Sequence, residues 1–82
     1  MEEYKIKDAV VKRFASIMNA RSMNINELAN LSGVTPSTAY SMFDARRRDV
    51  SIVTIKKFCD GLDMKISDFF NSKEFEELDQ EI

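Results

Sequence analysis

The sequence contains no histidine, one cysteine, one proline, two glycines, and no apolar run approaching the ~18 residues that a membrane-spanning helix needs. Without histidine or a second cysteine, the chain cannot build within itself a zinc finger, a Cys/His nucleophilic pair or a disulfide framework. Cys59 therefore reads as a small apolar core residue. No catalytic base can be paired with a nucleophile or a set of metal ligands, so an enzyme is the weakest functional class. No cofactor, metal or small-molecule ligand is expected. Met1-Glu2-Glu3 is acidic where a secretory signal would be basic, which predicts a cytoplasmic protein. At 82 residues the chain amounts to one domain at most and buries only about 60% of the surface its unfolded form exposes.

Acidic residues outnumber basic ones by 14 to 12, a balance that argues against a polyanionic partner until it is partitioned. Residues 1–72 hold 11 Lys/Arg and 9 Asp/Glu, whereas residues 73–82 set Lys73 against Glu74, Glu76, Glu77, Asp79 and Glu81. The body is weakly basic and the acidity belongs to the tail. The division predicted is a 1–72 domain followed by a 73–82 acidic extension, with no internal repeat, low-complexity segment or linker. An electrostatic case for nucleic acid then rests on where the cations stand and not on their number.

The most informative stretch runs from Ile25 to Met42. Leu28 and Ala29, with Leu31, give a short helix an apolar side, and Gly33 follows where a left-handed residue ends a helix without a Cβ penalty. Thr35 offers a side-chain oxygen to the free amides of a new helix, and Pro36 occupies its first position, where a missing N–H costs nothing. From there the 3.6-residue period puts Ala39 and Met42 on one side with Thr38 beside them. Ser37, Tyr40, Ser41 and Asp44 fall on the other.

Leu28-Ala29, Gly33-Val34 and Thr35 give this segment the pattern of a Leu-Ala pair, a turn glycine with an aliphatic residue, and a capped third helix. It resembles the helix-turn-helix of the Cro and phage-repressor family, often called XRE-like, over roughly Phe14 to Phe70. The resemblance implies an all-α, five-helix lambda-repressor-like DNA-binding domain in a repressor-like transcriptional regulator, acting as a homodimer on double-stranded DNA. The third helix, about residues 36–43, would enter a major groove roughly 12 Å wide. Thr35, Pro36, Ser37, Tyr40 and Ser41 would then face base edges and the adjoining backbone. Phosphate contacts would fall to Asn24 and Asn26 at the start of the second helix, to Thr38, and to Arg46, Arg47 and Arg48. Many relatives carry glutamine where this chain has Ile25, and helix 3 here has no long amide or guanidinium. Readout would rest on hydroxyls and on Pro36 or Tyr40 against a thymine methyl.

The remaining elements follow from spacing and from the same resemblance. The first helix is predicted over Tyr4–Arg21, with Ile6, Val10, Phe14, Ile17 and Met18 facing the core. Lys5, Lys12, Arg13 and Arg21 fall outside that stripe and read as solvated, Arg21 also lying within reach of a phosphate. Met18 and Phe43 occupy positions where many relatives pair a buried Arg with a Glu, and both being apolar predicts that they touch. Asp44-Ala45-Arg46-Arg47-Arg48-Asp49 reads either as a backbone-gripping loop or as a solvated one offset by its own aspartates. Ser51 caps a fourth helix with a stripe of Ile52, Ile55, Phe58, Cys59 and Leu62. Asp63, standing where relatives have glycine, predicts a positive φ. Ile66–Asn71 forms the fifth helix, its Phe69 or Phe70 closing the core. The tail reads either as a helix capped by Ser72, with Phe75, Leu78 and Ile82 on one face against a partner, or as a frayed end. A different class of function also fits: a protein-interaction module, or an antitoxin-like partner, keeping the scaffold without DNA readout.

Overall fold

Asn24, Thr35 and Ser51 each place a side-chain oxygen on the backbone N–H three residues ahead, at 2.8, 3.3 and 3.2 Å, and these caps set where the middle helices begin. The computed structural model describes residues 4–82. It has α1 (Ile6–Ala20), α2 (Ile25–Ser32), α3 (Pro36–Phe43), α4 (Ile52–Gly61), α5 (Ile66–Phe70) and a 3₁₀ turn (Lys73–Phe75), with no strand among the described residues. The helix ends are equally local in origin. Gly33 stops α2 at φ +66°, and Asp63, at φ +55°, turns the chain after α4 as its short side chain predicts.

Phe14 of α1 lies at the centre of the core. Its ring centroid is 4.3 Å from that of Phe69, 5.2 Å from Phe58 and 6.3 Å from Phe43, so one side chain joins α1 to α5, α4 and α3. Val10, Ile17 and Met18 extend this face along α1, and Leu28, Ala29, Ala39 and Met42 supply it from the helix pair α2–α3. Phe43 is half-buried and rests on Phe14 and Phe58. Burying each of these large side chains contributes about 1.5–3 kcal/mol.

Several expectations are corrected. The first helix runs Ile6–Ala20, shorter than Tyr4–Arg21, because the Asp8 carboxylate accepts the Lys5 N–H at 2.9 Å and starts it there. Arg13 and Arg21 are not merely solvated. Arg13 donates to the carbonyls of Phe69 and Asp68 at 2.9 and 3.0 Å, and Arg21 to that of Leu62 at 2.9 Å, so each caps the end of another helix. Leu31 and Ile52 are 56% and 59% exposed, since the packed faces of α2 and α4 stop at Ala29 and begin at Ile55.

The tail is neither a longer helix nor frayed. After the 3₁₀ turn, where Phe75 packs on Phe69 and Phe70, it runs back to the start of α1. There the Asp79 carboxylate accepts the Tyr4 N–H at 2.6 Å and that of Glu81 accepts the Ile6 N–H at 2.8 Å. The Asp79 N–H donates to the Tyr4 carbonyl at 2.9 Å, and Lys5 Nζ bonds the Gln80 carbonyl. The unpaired amides and positive dipole end of α1 draw these acids into an extended path that a helix would forbid. Ser72 caps nothing through its side chain.

At Gly61, α4 approaches α2 closely. A Cβ there would lie 2.5 Å from Ser32 Oγ and 3.0 Å from the Leu31 backbone, whereas one on Gly33 would meet nothing within 4 Å. Gly61→Ala is therefore expected to destabilise through overpacking of ~1–3 kcal/mol, which outweighs the ~1 kcal/mol that alanine gains in a helix. Gly33→Ala should cost about 1–2 kcal/mol purely from its left-handed backbone. Urea denaturation of both variants checks this, and a stabilised Gly61→Ala would disprove the close contact.

Candidate nucleic-acid interface

Helix α3 is presented outward because its apolar residues are confined to one side. Ala39 and Met42 are buried while Thr35, Pro36, Ser37, Thr38 and Tyr40 are exposed, with Ser41 half-buried at the edge. The five predicted base-facing positions thus run from the cap of α3 to Ser41, apart from its buried residues, four exposed and Ser41 half-buried. Their hydroxyls are not equally available. Thr35 Oγ1 accepts the Thr38 N–H and bonds Thr38 Oγ1 at 2.9 Å, so the cap occupies both residues. Tyr40 is 52% exposed and projects from the middle of the helix.

Beside α3 the three arginines have different surroundings. Asp44 closes a tight turn by accepting the Arg46 backbone N–H at 3.0 Å and the Arg46 guanidinium at 3.1 and 3.0 Å. That side-chain bond, followed by the backbone bond, pulls the Asp44 carboxyl down to about 2. Arg46 remains outward-facing despite the pairing. Arg48 donates to Asp8 of α1 at 2.9 Å and to the Ala45 carbonyl at 3.3 Å, spanning its own loop. Arg47 has no ion pair among the described residues. It lines a shallow groove of about 140 Å³ with Thr38, Ser41, Asp49, Ser51 and Thr54, between α3 and the start of α4.

At the start of α2 the expected anion site is already filled. Asn24 donates its N–H to the Glu27 carboxylate at 3.0 Å while accepting the Glu27 N–H, a reciprocal capping box that places a negative charge over the helix end. Asn26, exposed nearby, makes no such bond.

Sequence reasoning missed Lys7. This lysine is 2% exposed, and its Nζ donates to the Ser41 carbonyl near the end of α3 at 3.4 Å. Its signal was present, since Lys7, Val10 and Phe14 stand three and four apart on the face of α1 that packs. Among the described residues no group of His, Cys, Asp or Glu is arranged to hold a metal ion. No described helix is long and apolar enough to cross a membrane.

Comparison with known proteins agrees with this fold. The family model of the Cro/C1-type HTH DNA-binding domain matches residues 13–74. No curated protein sequence matches the chain. Among solved structures, the crystal structure of the prophage Lp1 protein 11 is similar at a TM-score of 0.78 and 28% identity, covering 90% of this chain and 97% of that one.

The Asp44–Arg46 turn makes a pH prediction. The carboxyl titrates lower in the folded chain than its ordinary 3.8, so the pair's contribution is complete above that value and is lost as pH falls through about 2. A carboxyl-detected NMR titration should find Asp44 near 2, and higher in Arg46→Ala but still below its ordinary value, because the backbone N–H at position 46 remains.

Proposed function

The chain belongs to the Cro/C1-type helix-turn-helix DNA-binding family, and from that premise we propose that it is a sequence-specific, repressor-like transcriptional regulator that lays α3 in the major groove. The observation that carries this reading is the exposed hydroxyl-bearing face of α3 standing beside Arg47, which has no ion pair among the described residues. Ser37, Tyr40 and Ser41 read base edges, with Thr35 and Pro36 against the adjoining strand. Serine hydroxyls donate to or accept from several bases, so their selectivity is modest, and Tyr40 adds apolar contact with a thymine methyl.

Arg47 is the leading phosphate ligand, supported by Arg46 and by Thr38 and Asn26. Arg48 approaches the backbone from the same loop while held by Asp8. Asn24 is the weakest of the proposed phosphate contacts, because its N–H and the helix end beside it serve Glu27. The carboxylates of Asp79 and Glu81 are bound at α1, which leaves the α3 surface without those two charges over it. We further propose an intracellular homodimer that binds a palindromic site with half-sites about 34 Å apart.

Fluorescence anisotropy on duplexes selected from a random pool tests the assignment. Arg47→Ala should weaken binding to all duplexes alike and lower the salt slope by about one. Tyr40→Ala should flatten the preference among selected sequences while leaving that slope in place. Wild-type binding by both variants would reject this surface, and absence of DNA binding by the parent chain would favour the protein-interaction alternative.

A further inference from the structure

Lys7 is a charged side chain almost wholly withdrawn from water, in contact with the end of α3. Burying an ammonium is unfavourable, and an apolar residue of similar volume commonly gives equal or better stability. Stability alone therefore does not account for it. What an ammonium supplies and a thioether does not is a bond to a backbone carbonyl. Nζ reaches the Ser41 carbonyl, which also closes the end of α3 by accepting the Asp44 N–H at 3.2 Å. That is the negative end of the α3 dipole.

The next residue of α1 makes the second attachment. Asp8 Oδ2 holds both the Lys5 N–H and Arg48, so two consecutive side chains of α1 tie down α3 and the far side of the arginine loop. Asp49 and Asp44 lie near enough to favour the cation on Lys7, while Arg48 and Arg47 oppose it; burial is the largest influence and lowers its pKa. The residue is 2% exposed, and its ammonium is held against the end of α3.

We infer that Lys7 is a positioning residue for DNA binding: by holding the Ser41 carbonyl it fixes the end of the recognition helix and the turn that presents Arg46 and Arg47. This rests on α3 being the DNA-contacting helix. Strain or displacement at that carbonyl moves the guanidiniums directly, since Arg47 follows Asp44 by three residues and its N–H bonds the Asp44 carbonyl at 3.1 Å.

The test uses Lys7→Met in the full chain, with urea denaturation and anisotropy on the selected duplex at several salt concentrations. The expected result is an unfolding midpoint equal to or above that of the parent, with affinity about tenfold weaker and a salt slope smaller by about one, the change expected when one phosphate contact is lost. A purely structural lysine would move the midpoint and leave the slope alone. Unchanged affinity and slope in a folded Lys7→Met overturn the proposal. If methionine is not accommodated, Lys7→Ala is read by the same two quantities. Arg47→Ala run alongside separates the failures: if it too binds like the parent, the interface assignment is at fault, and if it binds weakly while the Lys7 variant does not, the positioning role is.

Discussion

The fold depends on the burial of the Phe14 ring among those of Phe58, Phe69 and Phe43. Those three rings come from α4, α5 and the end of α3, elements that have few residues each and little stability alone. An eight-residue helix such as α3 persists in water because one side of it is covered. The same constraint decides function, because the covered side fixes by elimination which side is left to face a ligand.

Around that apolar centre, Lys7 and Arg13 of α1 and Arg21 at its end serve as caps for other helices. Lys7 bonds a carbonyl at the end of α3, Arg21 one at the end of α4, and Arg13 two at the end of α5. Each adds a donor to a carbonyl at the negative end of that helix's dipole, the Ser41 carbonyl also accepting the Asp44 N–H. The longest helix thus organises three shorter ones through polar bonds at their ends as well as through the shared core. This also explains why the charge count gives so little sign of a DNA-binding surface. Three of the basic residues of the 1–72 segment bond carbonyls of the protein itself, so they enter the count without standing beside α3 as unpaired charge.

The local features were legible in the sequence. The caps at Asn24, Thr35 and Ser51, the corner at Gly33 and the positive φ of Asp63 all depend on residues within one turn of themselves. Helical period identified Val10, Phe14, Ile55 and Phe58 as core, yet overextended the stripes to Leu31 and Ile52, because periodicity states which side is apolar and not how far the neighbouring element reaches. Exposure of the α3 face could be read from that side-chain pattern. The partition of the arginines could not: Asp8 is 40 residues from Arg48, and the Asp44 pairing depends on a turn whose geometry the residue types alone leave open. Lys7 was missed for a related reason, since a lysine on a packed face reads as misplaced until a carbonyl is found above it.

The stitch between residues 4–6 and 79–81 joins points 75 residues apart and brings the two extremities of the described chain side by side. Topologically the molecule approaches a ring. A rearranged gene that joined these described extremities and opened the chain at an exposed turn is expected to encode the same set of touching helices, because residues 4–6 and 79–81 already meet. On that expectation, the order in which the helices are synthesised constrains the architecture less than which of them share Phe14.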